Sequence, residues 1–259
     1  MLDRVKTALA SGGVAVGTHC MTSDAAFFEM CGVLGYDFVW IEGEHTDMTG
    51  PMTVNAIIAT NAGGCAAFVR VPWNDPVLVK PILEAGPDGI IFPMINTPQE
   101  AKMAVASCRY PPHGKRSFGP SRSIMYGEMP LDEYLEHVER NLWRIIQIEH
   151  IEGVKNLDEI LKVEGLTAVM CGAMDLSASV GKLGKIKDPE VVGMMEAIAE
   201  KCKKAGIPYG VSTAGDLELV DFWLDRGASL ICIGSPYDYF GRLSKQTLEK
   251  YKKVKAKQP

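Results

Sequence analysis

The chain of 259 residues carries 27 basic and 32 acidic side chains, a formal net charge of −5, with 47% apolar and 23% charged residues. That balance leaves no basic footprint for nucleic acid, and no run of eighteen apolar residues offers a membrane span. The length suits one (β/α)8 barrel with a sizeable core, and no linker or composition shift divides residues 1–259, so one domain is expected.

Residues 1–13 read as a short amphipathic helix rather than a signal peptide, because Arg4 and Lys6 interrupt any apolar region. GGVAVGTHCM (12–21) is the first strand candidate. A phrase then recurs: the end of a helical pattern, a glycine, two or three residues, and a short apolar run. It appears at 33–45, 61–72, 84–96, 163–175, 204–214 and 225–236, and RIIQIEH at 144–150 completes eight strand candidates. Each glycine stops a helix in the left-handed conformation, and each apolar run has the continuous apolarity of a parallel strand covered on both faces. Amphipathic stretches at 76–86, 98–107, 188–204 and 216–227 lie between them. Eight alternations point to a closed α/β barrel of the TIM type. A Rossmann or flavodoxin-like sheet would carry a glycine-rich turn after its first strand, where this chain has HCMTSDAA. The basic stretch from Lys250 to Lys257 reads as the solvated end of a last helix.

Barrel chemistry gathers at the carboxyl ends of the strands. In order, those ends offer His19, then Glu42, Glu44 and His45, then Arg70, Asn96, Gln147, Glu149 and His150. Asp175, Ser212, Thr213 and Ser235 close the circle. Gln147 and Glu149 are two apart on one strand and share a face. Asp175 ends the next strand, and neighbouring carboxylates repel unless a cation or proton lies between them. Few oxygen ligands with room for water and substrate suit Mg2+ or Mn2+ better than zinc. The alternative is that Glu149 pairs with a basic neighbour and Asp175 caps a helix. An arginine ending an apolar strand needs an anion, so Arg70 either anchors a substrate oxyanion or forms an ion pair with Glu42 or Glu44. His45 follows two acids, either of which would orient its ring.

The segment 109–130 carries Arg109, Lys115, Arg116 and Arg122 with no acid before Glu128. It reads as a lid or subunit contact favouring anionic substrates, or as a solvated basic loop. None of the eighteen lysines falls in a predicted strand, which argues against imine catalysis. Seven cysteines, at 20, 31, 65, 108, 171, 202 and 232, form no CxxC pair and sit mostly in apolar runs. Buried thiols of a reducing, cytoplasmic compartment are expected, not disulfides or zinc.

The phrases IEGEH (41–45), FVRVPWNDP (68–76), DGIIFPMINTPQEA (88–101), RYPPHGKR (109–116), QIEHIEGVKNLDEIL (147–161) and CGAMDLSASVG (171–181) run in order over nearly the whole chain. Together they resemble the HpcH/HpaI aldolases, the metal-dependent (class II) pyruvate aldolases. The resemblance implies a homo-oligomer, commonly a hexamer built from dimers, with the C-terminal helix exchanged between subunits. It also implies a divalent metal on Glu149 and Asp175 (Mg2+ first, Mn2+ or Co2+ next) with Gln147 beside it. Arg70 would stabilise an enolate, His45 would transfer a proton, and backbone N–H groups around Met174 and Asp175 would hold the pyruvate carboxylate. Two departures stand out. Glu42 and Glu84 occupy positions where the family often has aspartate, the second of which assists the histidine in some members. Met174 precedes Asp175 where a GPAD-like phrase is usual. The activity implied is cleavage of a 4-hydroxy-2-oxo acid to pyruvate and an aldehyde. Its rivals are an oxaloacetate decarboxylase or acyl-CoA lyase using the same enolate, and a non-catalytic metabolite-binding barrel.

Overall fold

The structure, a computed structural model, describes residues 2–255. Eight strands form a closed, all-parallel barrel in chain order. They are β1 (Ala15–Cys20), β2 (Phe38–Glu42), β3 (Ala66–Arg70), β4 (Gly89–Phe92), β5 (Trp143–Ile148), β6 (Ala168–Cys171), β7 (Tyr209–Thr213) and β8 (Leu230–Ile233). Every strand candidate of the sequence is present, and no strand contains a lysine. The glycines of the recurring phrase do what a helix stop requires: Gly206 takes φ 69° after helix Pro189–Ala205, and Gly86 takes φ 72° after helix Pro76–Glu84. A side chain is strained at such angles.

The core has two compartments. Outward-facing strand residues such as Val39, Val69, Ile90, Ile146 and Val211 pack under the helices, while inward-facing Phe38, Trp40, Phe68, Ile91, Trp143, Ile145 and Met170 fill the barrel itself. The uppermost inward layer comes from the odd strands: His19, Arg70, Gln147 and Ser212. Each registers with an inward apolar residue of the next strand, respectively Trp40, Ile91, Met170 and Cys232. Strand tilt sets the two groups one step apart along the barrel axis, as alternate layers of four. The barrel is therefore hydrocarbon up to the layer of Trp40 and fully polar above it. That change of chemistry makes the floor of the mouth.

Segment 109–130 departs from the lid expectation. It leaves helix Pro98–Cys108, includes a short 3-10 helix at Arg122–Gly127, and leads into helix Leu131–Asn141 before β5. It therefore lies at the amino-terminal end of the barrel, away from its own mouth. Its arginines are spent on structure. Arg122 donates to the carbonyls of Ala85 and Gly86, and Arg116 donates to Leu83 O, Glu84 Oε2 and Tyr134 Oη while lying over the Tyr110 ring. Arg109 meets Glu139 and Glu164. A cavity of about 620 Å³ remains between this segment and the barrel's amino end, with Arg116, Arg122, Tyr126 and His137 in its wall.

All seven cysteines are free and buried. Among the described residues no helix is long and apolar enough to cross a membrane. The last helix, Pro236–Lys255, exposes Tyr237, Phe240, Leu243 and Leu248, an apolar stripe that the single chain leaves uncovered. Lys257, at the end of the basic stretch, lies outside the described residues.

Candidate active site

Arg70 ends β3 with its side chain buried at the centre of the mouth. Its Nε donates to Glu42 Oε2 at 2.8 Å and its Nη2 to the same oxygen. Its Nη1 faces the other way, 2.9 Å from Glu44 Oε2 and 3.3 Å from Gln147 Oε1. The guanidinium also lies over Trp40, 5.1 Å from the ring centroid. Both carboxylates named as alternative ion-pair partners are thus engaged, on opposite edges of one planar fork. Burial pushes Glu42 upward in pKa, but the Arg70 charge and hydrogen bonds, with the backbone N–H groups of Glu44 and His45, hold it below the ordinary range. Glu42 is an ionised clamp. Burial raises Glu44, against the pull of Arg70 and His45.

His45 is on the rim, its side chain 62% exposed, with Nε2 3.6 Å from Glu44 Oε2. Glu44, not Glu42, is the acid beside the imidazole; Glu42 Oε1 accepts only the backbone N–H of His45, at 3.1 Å. Glu84 does not join this group within one chain. It ends helix Pro76–Glu84 at the amino-terminal side of the barrel, its Oε2 3.3 Å from Arg116 Nη2 and its Oε1 buried without a partner.

Gln147 is inward on β5. Its Nε2 donates to Glu149 Oε2 at 2.9 Å while its Oε1 accepts from Arg70, so one amide links guanidinium and carboxylate. Glu149 is 3% exposed and, among the described residues, has no ion-pair partner; its other oxygen accepts Met94 N–H at 2.8 Å. Met94 holds φ 55°, a costly conformation for a side-chain-bearing residue, and that turn aims its N–H at the carboxylate. Burial lifts the Glu149 pKa to about 7, opposed by the Met94 hydrogen bond and Arg70 and reinforced by Glu44 and Asp175. Asp175 does not end β6 as expected. β6 stops at Cys171, Gly172 is the N-cap, and Asp175 stands exposed in the first turn of helix Ala173–Ser179 with Met174, 52% exposed, before it. Gly172, not Asp175, is therefore the cap. His150 is a helix cap, its Nδ1 accepting the N–H of Glu152.

Gly172 is required by the carboxylate itself. A Cβ there would lie 2.3 Å from Glu149 Oε2 and 3.0 Å from its Cβ. Gly172→Ala is expected to fold, to displace the Glu149 carboxylate and to lower kcat/KM by more than about tenfold, the scale of a catalytic group moved by an ångström. Steady-state kinetics beside a circular dichroism melt check this, and unchanged kinetics refute it.

The donor set fits a hard divalent cation. A buried carboxyl without an ion-pair partner, repelled by a nearby carboxylate, is relieved by a positive ion. Among the described residues no group of three His, Cys, Asp or Glu is arranged to hold a metal. Two carboxylates, with solvent and substrate completing the shell, is the habit of Mg2+.

The family model described as HpcH/HpaI aldolase/citrate lyase matches residues 16–240. The chain belongs to that family. It is 31% identical over 252 residues to 5-keto-4-deoxy-D-glucarate aldolases of Citrobacter koseri and Escherichia coli, covering 97% of this chain and of each relative. A HpcH/HpaI aldolase/citrate lyase family protein from Burkholderia cenocepacia superposes with TM-score 0.87 at 28% identity, covering 92% of this chain and 95% of that one. The citrate synthase SbnG gives TM-score 0.87 at 26% identity, with 97% and 98% covered. This HpcH/HpaI protein is an aldolase-type carbon–carbon lyase.

The sequence offers Glu42 and Glu44 alike as the acid that orients His45, and the structure places Glu44 there. Neither Met94 nor Gly172 is singled out by the sequence, because both act through the backbone.

Proposed function

We propose that this protein reversibly cleaves a 4-hydroxy-2-oxo acid to pyruvate and an aldehyde. The observation that carries this reading is the convergence of the Nη1 edge of Arg70, the Gln147 amide and the buried Glu149 carboxyl at one point of the mouth. The 5-keto-4-deoxy-D-glucarate aldolases, similar over nearly their whole length, support it. Glu149 and Asp175 would hold Mg2+, or Mn2+ or Co2+ in its place; when bound, such an ion supplies Lewis acidity at the 2-oxo oxygen.

The remaining work belongs to the side chains. Arg70 Nη1 donates to the oxygen on which charge grows as C3–C4 breaks, and the Glu42 clamp fixes its plane beforehand. Gln147 keeps Arg70 and Glu149 in register. Backbone N–H groups of the first helical turn around Met174 and Asp175 receive the substrate carboxylate. His45, held by Glu44, takes the C4 hydroxyl proton in cleavage and returns it in synthesis. Proton transfer through Glu84 requires the mouth of a second copy, because Glu84 lies at the amino-terminal side of its own barrel. The uncovered stripe on the last helix fits exchange of that helix in a homo-oligomer, a hexamer by the family resemblance. Seven buried free thiols and 1–259 as one barrel domain fit a cytoplasmic enzyme.

A decarboxylase acting on oxaloacetate would use the same enolate site. An acyl-CoA lyase is less well served, because the basic segment 109–130 faces the opposite end of the barrel. A non-catalytic barrel leaves the Arg70–Gln147–Glu149 convergence without a purpose. The test is exchange of the pyruvate methyl protons in D2O, followed by NMR, with metal-stripped protein and with added Mg2+ or Mn2+. Metal-dependent exchange abolished in Glu149→Ala is the expected result; no exchange with any of these metals overturns the proposal.

A further inference from the structure

Three phrases of the sequence take no part in the proposed chemistry: PWNDP (72–76), PMINTPQEA (93–101) and EGVKNLDEI (152–160). In the fold they meet around one turn, residues 93–96, which carries the chain from β4 into helix Pro98–Cys108. Met94 N–H leaves this turn for Glu149 Oε1 at 2.8 Å, from a backbone held at φ 55°. Such a conformation persists only where its surroundings over-determine it. Here they do so from three sides. Ile95 N–H donates to Gln147 O on β5 at 3.1 Å. The Glu100 carboxylate accepts Asn96 N–H and Thr97 N–H, both at 2.8 Å, the second as half of a capping box, and Asn74 Nδ2 donates to the Glu100 carbonyl at 3.0 Å. Asn156 Nδ2, from the junction of helices Ile151–Lys155 and Leu157–Ile160, donates to Asn96 O at 2.8 Å.

Asn156 stands where an asparagine ordinarily caps a helix, ahead of Leu157–Ile160, yet its side chain makes no cap bond there. The amide serves a carbonyl sixty residues earlier in the chain instead. Helix Ile151–Lys155 is pressed against the same turn. A Cβ on Gly153 would lie 2.8 Å from Ile95 O and 3.3 Å from Asn96 Oδ1, so only glycine lets the helix come this close. We propose that Asn156 is a positioning residue for the metal-binding carboxylate: with Gly153 it fixes the turn at 93–96, and the turn fixes Glu149 through Met94 N–H. This rests on the reading that Glu149 holds the divalent ion.

The two donors on Glu149 are of different kinds. Gln147 Nε2 is on a side chain and can turn with the carboxylate it meets, at 2.9 Å. Met94 N–H is backbone, so the turn alone sets its direction. Loss of the Asn156 donor leaves Asn96 O unmet and frees residue 94 to relax toward negative φ, which swings its N–H away from Glu149. Partners that orient a metal ligand in this way typically set affinity by about 10- to 100-fold.

The test reads Mn2+ binding to the metal-stripped protein by titration calorimetry, so no turnover is needed. Asn156→Ala and Gly153→Ala, one removing the donor and the other pushing on the turn, should each raise the Mn2+ Kd by at least about tenfold. Either variant keeps the test open if the other fails to fold. Thr167→Ala is the control for simple loss of stability. It removes the bonds of Thr167 Oγ1 to Arg144 N–H and Arg144 O at the amino-terminal end of β5, and should lower Tm while leaving Kd unchanged. An unchanged Kd in either folded variant, or an equal rise in Thr167→Ala, overturns this inference alone. Mn2+ binding unaffected by Glu149→Ala overturns the metal site, and this inference with it.

Discussion

Arg70→Ala is expected to lower kcat/KM by about 10²- to 10³-fold, a loss of roughly 3–4 kcal/mol in transition-state stabilisation, the scale of removing one oxyanion donor. The loss has two sources that separate experimentally. Truncation removes the Nη1 edge that faces Gln147 and Glu44, and it leaves Glu42 buried without its partner. The second effect should destabilise the fold by about 3–5 kcal/mol, visible in denaturant unfolding. Glu42→Gln divides the two: it loosens the clamp while leaving the guanidinium in place, so its kinetic loss should be the smaller. Arg70→Lys keeps the charge but not the fork and should not restore activity, since one ammonium cannot serve edges facing opposite ways. Turnover of Arg70→Ala within tenfold of wild type would remove the arginine from the mechanism.

Relative to Glu149→Gln, metal-stripped protein should lose stability as pH rises from about 5 to about 8; the comparison is needed because buried His19, held down near 4, contributes in the opposite sense over much of that range. The folded-state pKa of Glu149, about 7 through burial, stands above the ordinary carboxyl value of 4.5. Between those values the folded state holds a proton that the unfolded chain has released. This contribution to stability is therefore greatest below the unfolded pKa and is lost as pH rises through the folded one. The shift corresponds to about 3 kcal/mol, or of order 5–10 °C in the difference between the Tm changes of wild type and variant for a domain of this size. In Glu149→Gln the amide does not titrate, so this falling contribution should vanish and the rising contribution of His19 should remain. Mg2+ or Mn2+ at the upper pH should recover much of the loss in wild type and little in the variant. Equal pH slopes in wild type and Glu149→Gln would show that this carboxyl is not the buried titrating group.

How far the sequence could be read depends on whether a residue acts through its side-chain type or through its place. Arg70, Gln147 and Glu149 were legible because an arginine or carboxylate at the end of an apolar strand is expensive unless something uses it, and period-two spacing aims Gln147 and Glu149 alike. Glu84 was not: its place at the end of a helix put it by the barrel's amino-terminal face, and only the topology shows that this is the far end from His45. The basic residues of 109–130 misled for a related reason. Positive charge in a loop suggests anionic ligands, yet Arg116 and Arg122 face carbonyl and carboxylate groups that end helix Pro76–Glu84, which solvent would otherwise have to satisfy.

By itself the sequence determined the eightfold alternation, the parallel barrel and the polar residues offered at its mouth. Those follow from local chemistry, namely helix-stopping glycines, continuous apolar strands and charges too costly to bury idly. Only the tertiary structure decided that His19, Arg70, Gln147 and Ser212 share one layer, that Glu44 rather than Glu42 meets His45, and that Gly172 leaves room for Glu149. Barrel closure sets these relations through register and tilt among strands far apart in the chain, and residue type or spacing carries no record of that stagger.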